Sequence, residues 1–211
     1  MGLSGQKVAR VTLGMLNRVM DPIPGMSGTP LGPPSAGWGG MLGQDFEITD
    51  ADALMMSDPL IGTLYGGVYR YVKFRAADVA NTFKRGMVVL ADSAAAFQVT
   101  STEALATAYG IAGVVINPTT GVYAVVPGNW GWIYCGGGKV ACQFKAALTA
   151  AAAVGNQVQW SAAGAGADNG TVDNLLIATA GPTGKYIGQA ESLPVAGAIS
   201  NVWMPFVRRR A

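Results

Sequence analysis

Cys135 and Cys142, flanking the run "GGGKVA", are the side chains best suited to covalent or metal chemistry in this sequence. Their spacing allows a disulfide across a turn, a metal site, or two small apolar side chains in neighbouring strands. A metal would need further ligands, and the chain has no histidine and no third cysteine. A chain made in a reducing cytoplasm keeps its thiols, so buried free cysteines are the expectation. Without histidine there is no Ser-His-Asp or Cys-His arrangement and no imidazole base. "GGGKV" (136–140) and "PTGKY" (182–186) lack the early glycine and the trailing Ser or Thr of a phosphate loop, and "GAGADNG" (164–170) misses the dinucleotide spacing. Asp45, Glu47, Asp50, Asp52 and Asp58 cluster, but Leu54 and Met55 stand where a calcium loop needs a ligand and its turn glycine. The expectation is no enzyme: no catalytic residues, no cofactor and no metal.

Aromatic side chains offer a different chemistry. Tyr65, Tyr69, Tyr71, Trp130, Trp132 and Trp160 could stack on sugar rings, as in a carbohydrate-binding or receptor-binding module. Alternating aromatics more often fill a core or a subunit contact. Tyr69 with Tyr71, and Trp130 with Trp132, each send two rings to one sheet face, so these four are expected at an oligomer interface. The closing "VRRRA" (207–211) reads as a solvated end, and a net charge of +2 is too small to argue for nucleic acid.

The elements that must carry these residues divide near residue 62. Half of the 211 residues are hydrophobic and only 12% are charged, against about 25% in an average soluble protein. A surface so poor in charge is expected to be covered in part by another protein. Residues 1–62 read as an extended arm: "MDPIPGMSGTPLGPPSAGWGGMLG" (20–43) holds five of the eleven prolines and has no helical or strand period. Met15, Met20, Pro22, Ile23, Pro24, Met26, Leu31, Trp38, Met41 and Phe46 are the arm residues suited to mould onto a partner, because unbranched, polarizable side chains adapt to irregular surfaces. No stretch of 18 apolar residues and no export signal is present, which excludes a membrane helix and suggests a cytoplasmic origin.

Within the arm, Thr49 and Asp52 form an acidic capping box for a short helix over 49–57. From residue 63 the period is mostly two. "GGVYRYVKF", "GMVVLAD", "NWGWIYC", "KVACQFKA" and "NQVQWSA" alternate between turn residues, which predicts an all-β barrel or sandwich over 63–211. "NPTTG" (117–121) and "CGGGK" (135–139) read as hairpin turns, and "TSTEALATAYG" (100–110) as a second helix capped by Thr100 and Glu103.

The pattern also repeats. Gly86 with its strand resembles Gly155 with "NQVQW", "IAGV" resembles "IGQA" at 187–190, and "NWGWIY" resembles "NVWMPF". The offsets of roughly 70 residues predict one β unit used twice (83–134 and 152–207), with "TAAAAVG" (149–155) as the turn between them. "GKVACQFKAALTAAAAVGNQVQWSAAG", followed by "YIGQAES" and a terminal apolar strand, resembles the capsid decoration, or cement, proteins of tailed bacteriophages. The likeness is loose over 63–207 and best over 138–207. It implies a small tulip-like β fold on the exterior of an icosahedral capsid in the virion. It further implies the major capsid protein as partner, assembly as trimers or dimers, and a terminal arm that grips the lattice; a homotrimer is favoured because three subunits match the local three-fold axes of a shell. The N-terminal arm here is long for that group.

Overall fold

The structure, a computed structural model of the chain, describes residues 9–10, 43, 45–56, 63–78, 83–102, 106–116, 127–128, 130–161, 170–175 and 186–205. The fold is all-β. Five strands make a first ring: β3 (Gly67–Phe74), β4 (Val88–Asp92), β5 (Gln98–Thr100), β6 (Ala106–Val115) and β7 (Trp130–Gly136). Their order is β3-β5-β4-β6-β7, and β7 pairs back onto β3, so the ring closes. A second set follows: β8 (Gly138–Gln143), β9 (Gln157–Trp160), β10 (Val172–Leu175), β11 (Tyr186–Ala190) and β12 (Ile199–Met204). Their order is β10-β9-β11-β12-β8, and a parallel bridge from Phe144 to Val172 joins the two outer strands.

The second ring repeats the first pair by pair. Val89 opposite Gly113 corresponds to Val158 opposite Gly188, and Val114 opposite Tyr134 to Gln189 opposite Trp203. Tyr69 opposite Tyr134 corresponds to Lys139 opposite Trp203, and Ala91 opposite Val99 to Trp160 opposite Val172. The parallel pair Phe74–Val99 matches Phe144–Val172. The glycine corners match too. Gly86 (φ +82°) donates to the Val115 carbonyl at 2.9 Å, and Gly155 (φ +85°) to that of Ala190 at 2.8 Å. Only glycine enters such left-handed backbone cheaply, which is why both copies carry it.

The matching pairings extend over wider bounds than the sequence suggests. Each unit opens one strand earlier, at β3 and at β8. The passage between units is the glycine run at 136–138, not "TAAAAVG". "CGGGK" is no hairpin: Gly136 and Gly137 both have positive φ and turn the chain from the first ring into the second. The helix expected over 100–110 is also replaced by strand. Thr100 ends β5 and its hydroxyl donates to Asp78 (2.7 Å), so it is not free to cap, while Ala106 and Ile111 pair with β4. Sheet pairing outweighs a local helix signal here.

Two buried clusters show how the rings fill. Val72, Phe74, Val89, Ala91, Val99, Ala112, Val115, Ile133 and Cys135 lie in the first. Their counterparts Cys142, Phe144, Val158, Trp160, Val172, Ile187, Ala190, Val202 and Met204 lie in the second, together with the outer face of the first ring. The cysteines are buried, one in each ring, and not joined in a disulfide, as expected. In the first ring Phe83, fully buried from the entering loop, packs tilted against Phe74 with ring centroids 4.5 Å apart. In the second the matching loop residue is Ala152, which is exposed, and Trp160 in place of Ala91 supplies the missing ring volume. The units interlock where Gly86 accepts from Gln143 N–H (2.8 Å) and Val88 N–H donates to Gly170 (2.7 Å).

Part of the arm belongs to this fold. β2 (Asp45–Ile48) runs antiparallel to β3, and β1 (Ala9–Arg10) pairs parallel with β2. The expected short helix is present as α1 (Asp50–Met56), whose first turn closes from Ala53 N–H to the Thr49 carbonyl. β1 and β2 thus extend one edge of the first sheet.

Tyr69, Tyr71 and Trp132 are correspondingly not at the surface. Ile48, Ala53 and Leu64 pack in the same buried cluster, and the three rings are 2%, 6% and 2% exposed. Trp130 is half-buried. For Tyr69, Tyr71 and Trp132 this corrects the assignment to an oligomer contact: alternation identifies the two sides of a strand, whereas the cover on this side comes from the chain upstream.

Burial also makes stability depend on pH. It pushes the Tyr71 phenol up to about 12 and raises Tyr69, Tyr134 and the Cys142 thiol further. Each ionises more easily unfolded, near about 10 for tyrosine and about 8.5 for cysteine. The unfolded state therefore loses protons first and stability falls as pH rises. Denaturant titrations should give a stability that begins to decline near pH 8.5 and drops more steeply above pH 10. A flat profile to pH 11.5 would contradict this burial.

Candidate docking surface

The Ala-rich stretch that precedes β9 has a defined role in the second unit. Lys145, Thr149, Asp173, Asn174 and Asn156 make a polar base beneath it. Lys145 Nζ lies 2.7 Å from Asp173 and 2.8 Å from the Thr149 hydroxyl. Asp173, 3% exposed, accepts the Thr149 N–H at 2.9 Å and the Thr149 hydroxyl. Asn174, fully buried, donates to the carbonyls of Ala150 (2.9 Å) and Ala151 (3.1 Å), and Asn156 to that of Ala151 (2.8 Å). With its carbonyls held from below, the loop turns Ala151, Ala152, Ala153 and Val154 outward.

The β11–β12 loop lies beside it. Gly197 donates to the Lys145 carbonyl (2.9 Å) and Phe144 to that of Ala198 (2.9 Å). This loop exposes Leu193 and Val195 at 56% and 51%. Together the two loops give one end of the second ring an apolar, pinned surface. Its conformation is set by internal hydrogen bonds, so little ordering entropy is left for a partner to offset. Of the seven large hydrophobic side chains exposed among the described residues, six belong to the second unit: Val154, Tyr186, Leu193, Val195, Ile199 and Trp203. The exposed apolar surface is thus concentrated on one unit, the pattern expected of an interaction surface.

Asn174 tests the pinning. Asn174→Ala should cost about 1–3 kcal/mol, through two lost bonds and carbonyls left poorly paired. It should also open 148–153 to limited proteolysis, while the wild type stays intact there. Equal cleavage of both proteins would mean the loop is not held.

Sequence reasoning singled out other residues. Met15, Met20, Pro22, Ile23, Pro24, Met26, Leu31, Trp38 and Met41 lie outside the described residues, as do "NPTTG" and "VRRRA". Phe46 stands in β2 opposite Tyr69. Among the aromatics weighed for sugar stacking, Trp160 is buried like Tyr69, Tyr71 and Trp132, while Tyr65 and Trp130 are half-buried. Leu193, Val195, Ile199 and Trp203 were passed over. A cue was available in Ile199 and Trp203, which alternate with the buried Ser200, Val202 and Met204 and so mark an apolar outer face.

Among the described residues no three His, Cys, Asp or Glu side chains gather as a metal site, and no helix is long and apolar enough to cross a membrane. No family model matches the sequence, and no curated protein matches it.

Proposed function

We propose that the protein is structural: a tailed-phage capsid decoration protein that binds the outside of the shell and stabilises the lattice of major capsid protein. The observation that carries this reading is the pinned apolar end of the second ring, where Ala151–Val154, Leu193 and Val195 face outward. A rigid, nearly uncharged surface suits permanent burial against another protein better than turnover of a small substrate. The charge content of 12% points the same way. The mechanism is energetic. A protein bound across a seam between capsid subunits stabilises the assembled state over the free one, and copies repeated around a symmetry axis add avidity.

Co-sedimentation with shells assembled from the cognate major capsid protein tests it. Wild-type protein should bind saturably, and Leu193→Asp with Val195→Asp should weaken binding at least tenfold without changing the fold. Absence of co-sedimentation by the wild type would overturn the reading.

A further inference from the structure

The duplication sets two related outer faces side by side. In the first ring, β3 and β7 present Tyr69, Tyr71, Trp132 and Tyr134, and this face is buried. Tyr69 donates to the Tyr65 carbonyl, Tyr134 to the Gly66 carbonyl (3.0 Å), and Gly66 N–H to Asp50 (2.8 Å), so Asp50, Tyr65 and Gly66 are tied across it. In the second ring the matching positions are Lys139, Ala141, Asn201 and Trp203. No comparable covering segment can precede β8, because only Gly137 separates it from β7. Tyr65 reaches over: its ring lies 5.5 Å from Lys139 Nζ and its hydroxyl donates to Asn201 at 3.3 Å. Trp203 remains 44% exposed, with Ile199 (45%) four residues away on the same face.

We propose that this face receives the proline-rich stretch 22–42 of a second copy of the chain. Three observations select that occupant. The face combines an exposed indole, a phenol ring and an asparagine side chain, the kind of aromatic surface with a polar handle that takes polyproline segments. It is also electrically neutral, since Lys139 is paired with Glu191 at 3.1 Å. The stretch 22–44 is correspondingly free of charged residues and contains Pro30-Leu31-Gly32-Pro33-Pro34. Finally, the direction of the chain favours another copy over its own. β2 enters from the Tyr71 end of β3, where Gly43 N–H donates to the Tyr71 carbonyl, whereas the Trp203 face adjoins the Gly67–Gly137 end. The contact needs no shell, so its failure and failure of the capsid reading are separate results.

The test uses full-length protein carrying photo-methionine, whose diazirine would report from Met20, Met26 and Met41. Equal amounts of unlabelled and ¹⁵N-labelled protein are mixed, irradiated and digested. Mixed-isotope peptides joining 19–44 to 186–205 are expected. Trp203→Asp should remove them and weaken self-association at least tenfold by sedimentation, with an unchanged circular dichroism spectrum because Trp203 is not a core residue. Crosslinks within single copies only, crosslinks joining 199–204 of two copies, or unchanged crosslinks in Trp203→Asp would each overturn the proposal.

Discussion

Gly188→Ala is expected to destabilise the second ring by more than about 3 kcal/mol, enough to unfold a marginal domain. A β-carbon at Gly188 would overlap the Trp203 carbonyl oxygen and press on the Met204 Cα. All of these are backbone atoms of β12, and no rotamer change can move them aside. Gly113, its counterpart in the first ring, meets the Tyr134 carbonyl at 2.5 Å in the same way. In both units the glycine allows two strands to approach beside a bulge, so Gly113→Ala should also be severe. The corner glycines supply the contrast. Gly155→Ala should cost only the left-handed backbone, about 1–2 kcal/mol, because nothing lies within 4 Å of an added β-carbon. Gly86→Ala should cost more, since Gln143 N is 2.7 Å away across the joint between units. Urea midpoints of the four variants would check this order. Similar losses at Gly86 and Gly155 would mean that the two rings do not interlock as described.

Asp45→Ala should cost about 3–5 kcal/mol, which is far more than a residue of a disordered arm could. Arg70, 5% exposed, binds Asp45 through two bonds of 2.6 and 2.8 Å. Burial lowers the guanidinium's affinity for its proton, and the paired Asp45 carboxylate outweighs this, so Arg70 stays charged. Removing the carboxylate leaves that charge buried alone. The double variant Asp45→Ala, Arg70→Met should recover much of the loss, because an apolar side chain needs no partner there. A loss below about 1 kcal/mol in the single variant would show β2 detached from β3 in solution.

How far the sequence discloses this fold differs from residue to residue. The twofold use of one β unit is readable from Gly86 and Gly155, because a positive φ restricts the residue type so strongly. The start of each unit is harder to read, although "VKFR" at the end of β3 and "CQFK" at the end of β8 share the ring-filling Phe74 and Phe144. Alternation marks strands without saying which join in a ring. "CGGGK" was misread because a glycine run permits a hairpin and a sheet-to-sheet corner equally. Thr100 and Glu103 imitate a helix cap, but a long-range bond to Asp78 holds the Thr100 hydroxyl. The aromatic faces read as exposed in the sequence because their cover, which includes Ile48, Ala53 and Leu64, comes from a segment that resembles a free arm. The exposed alanines were legible as composition only. Their pinning depends on Asn156 and Asn174, and Asn174 lies some two dozen residues downstream.

The central proposal is that this chain is a shell-bound structural protein that docks through the pinned end of its second ring. A cryo-EM map of particles assembled with and without the protein tests it most directly. The account predicts added density on the shell exterior that fits two five-stranded rings per chain. The loops at 146–154 and 191–198 should contact major capsid protein. Identical maps with and without the protein, or density that meets the shell only through the first ring, would contradict it.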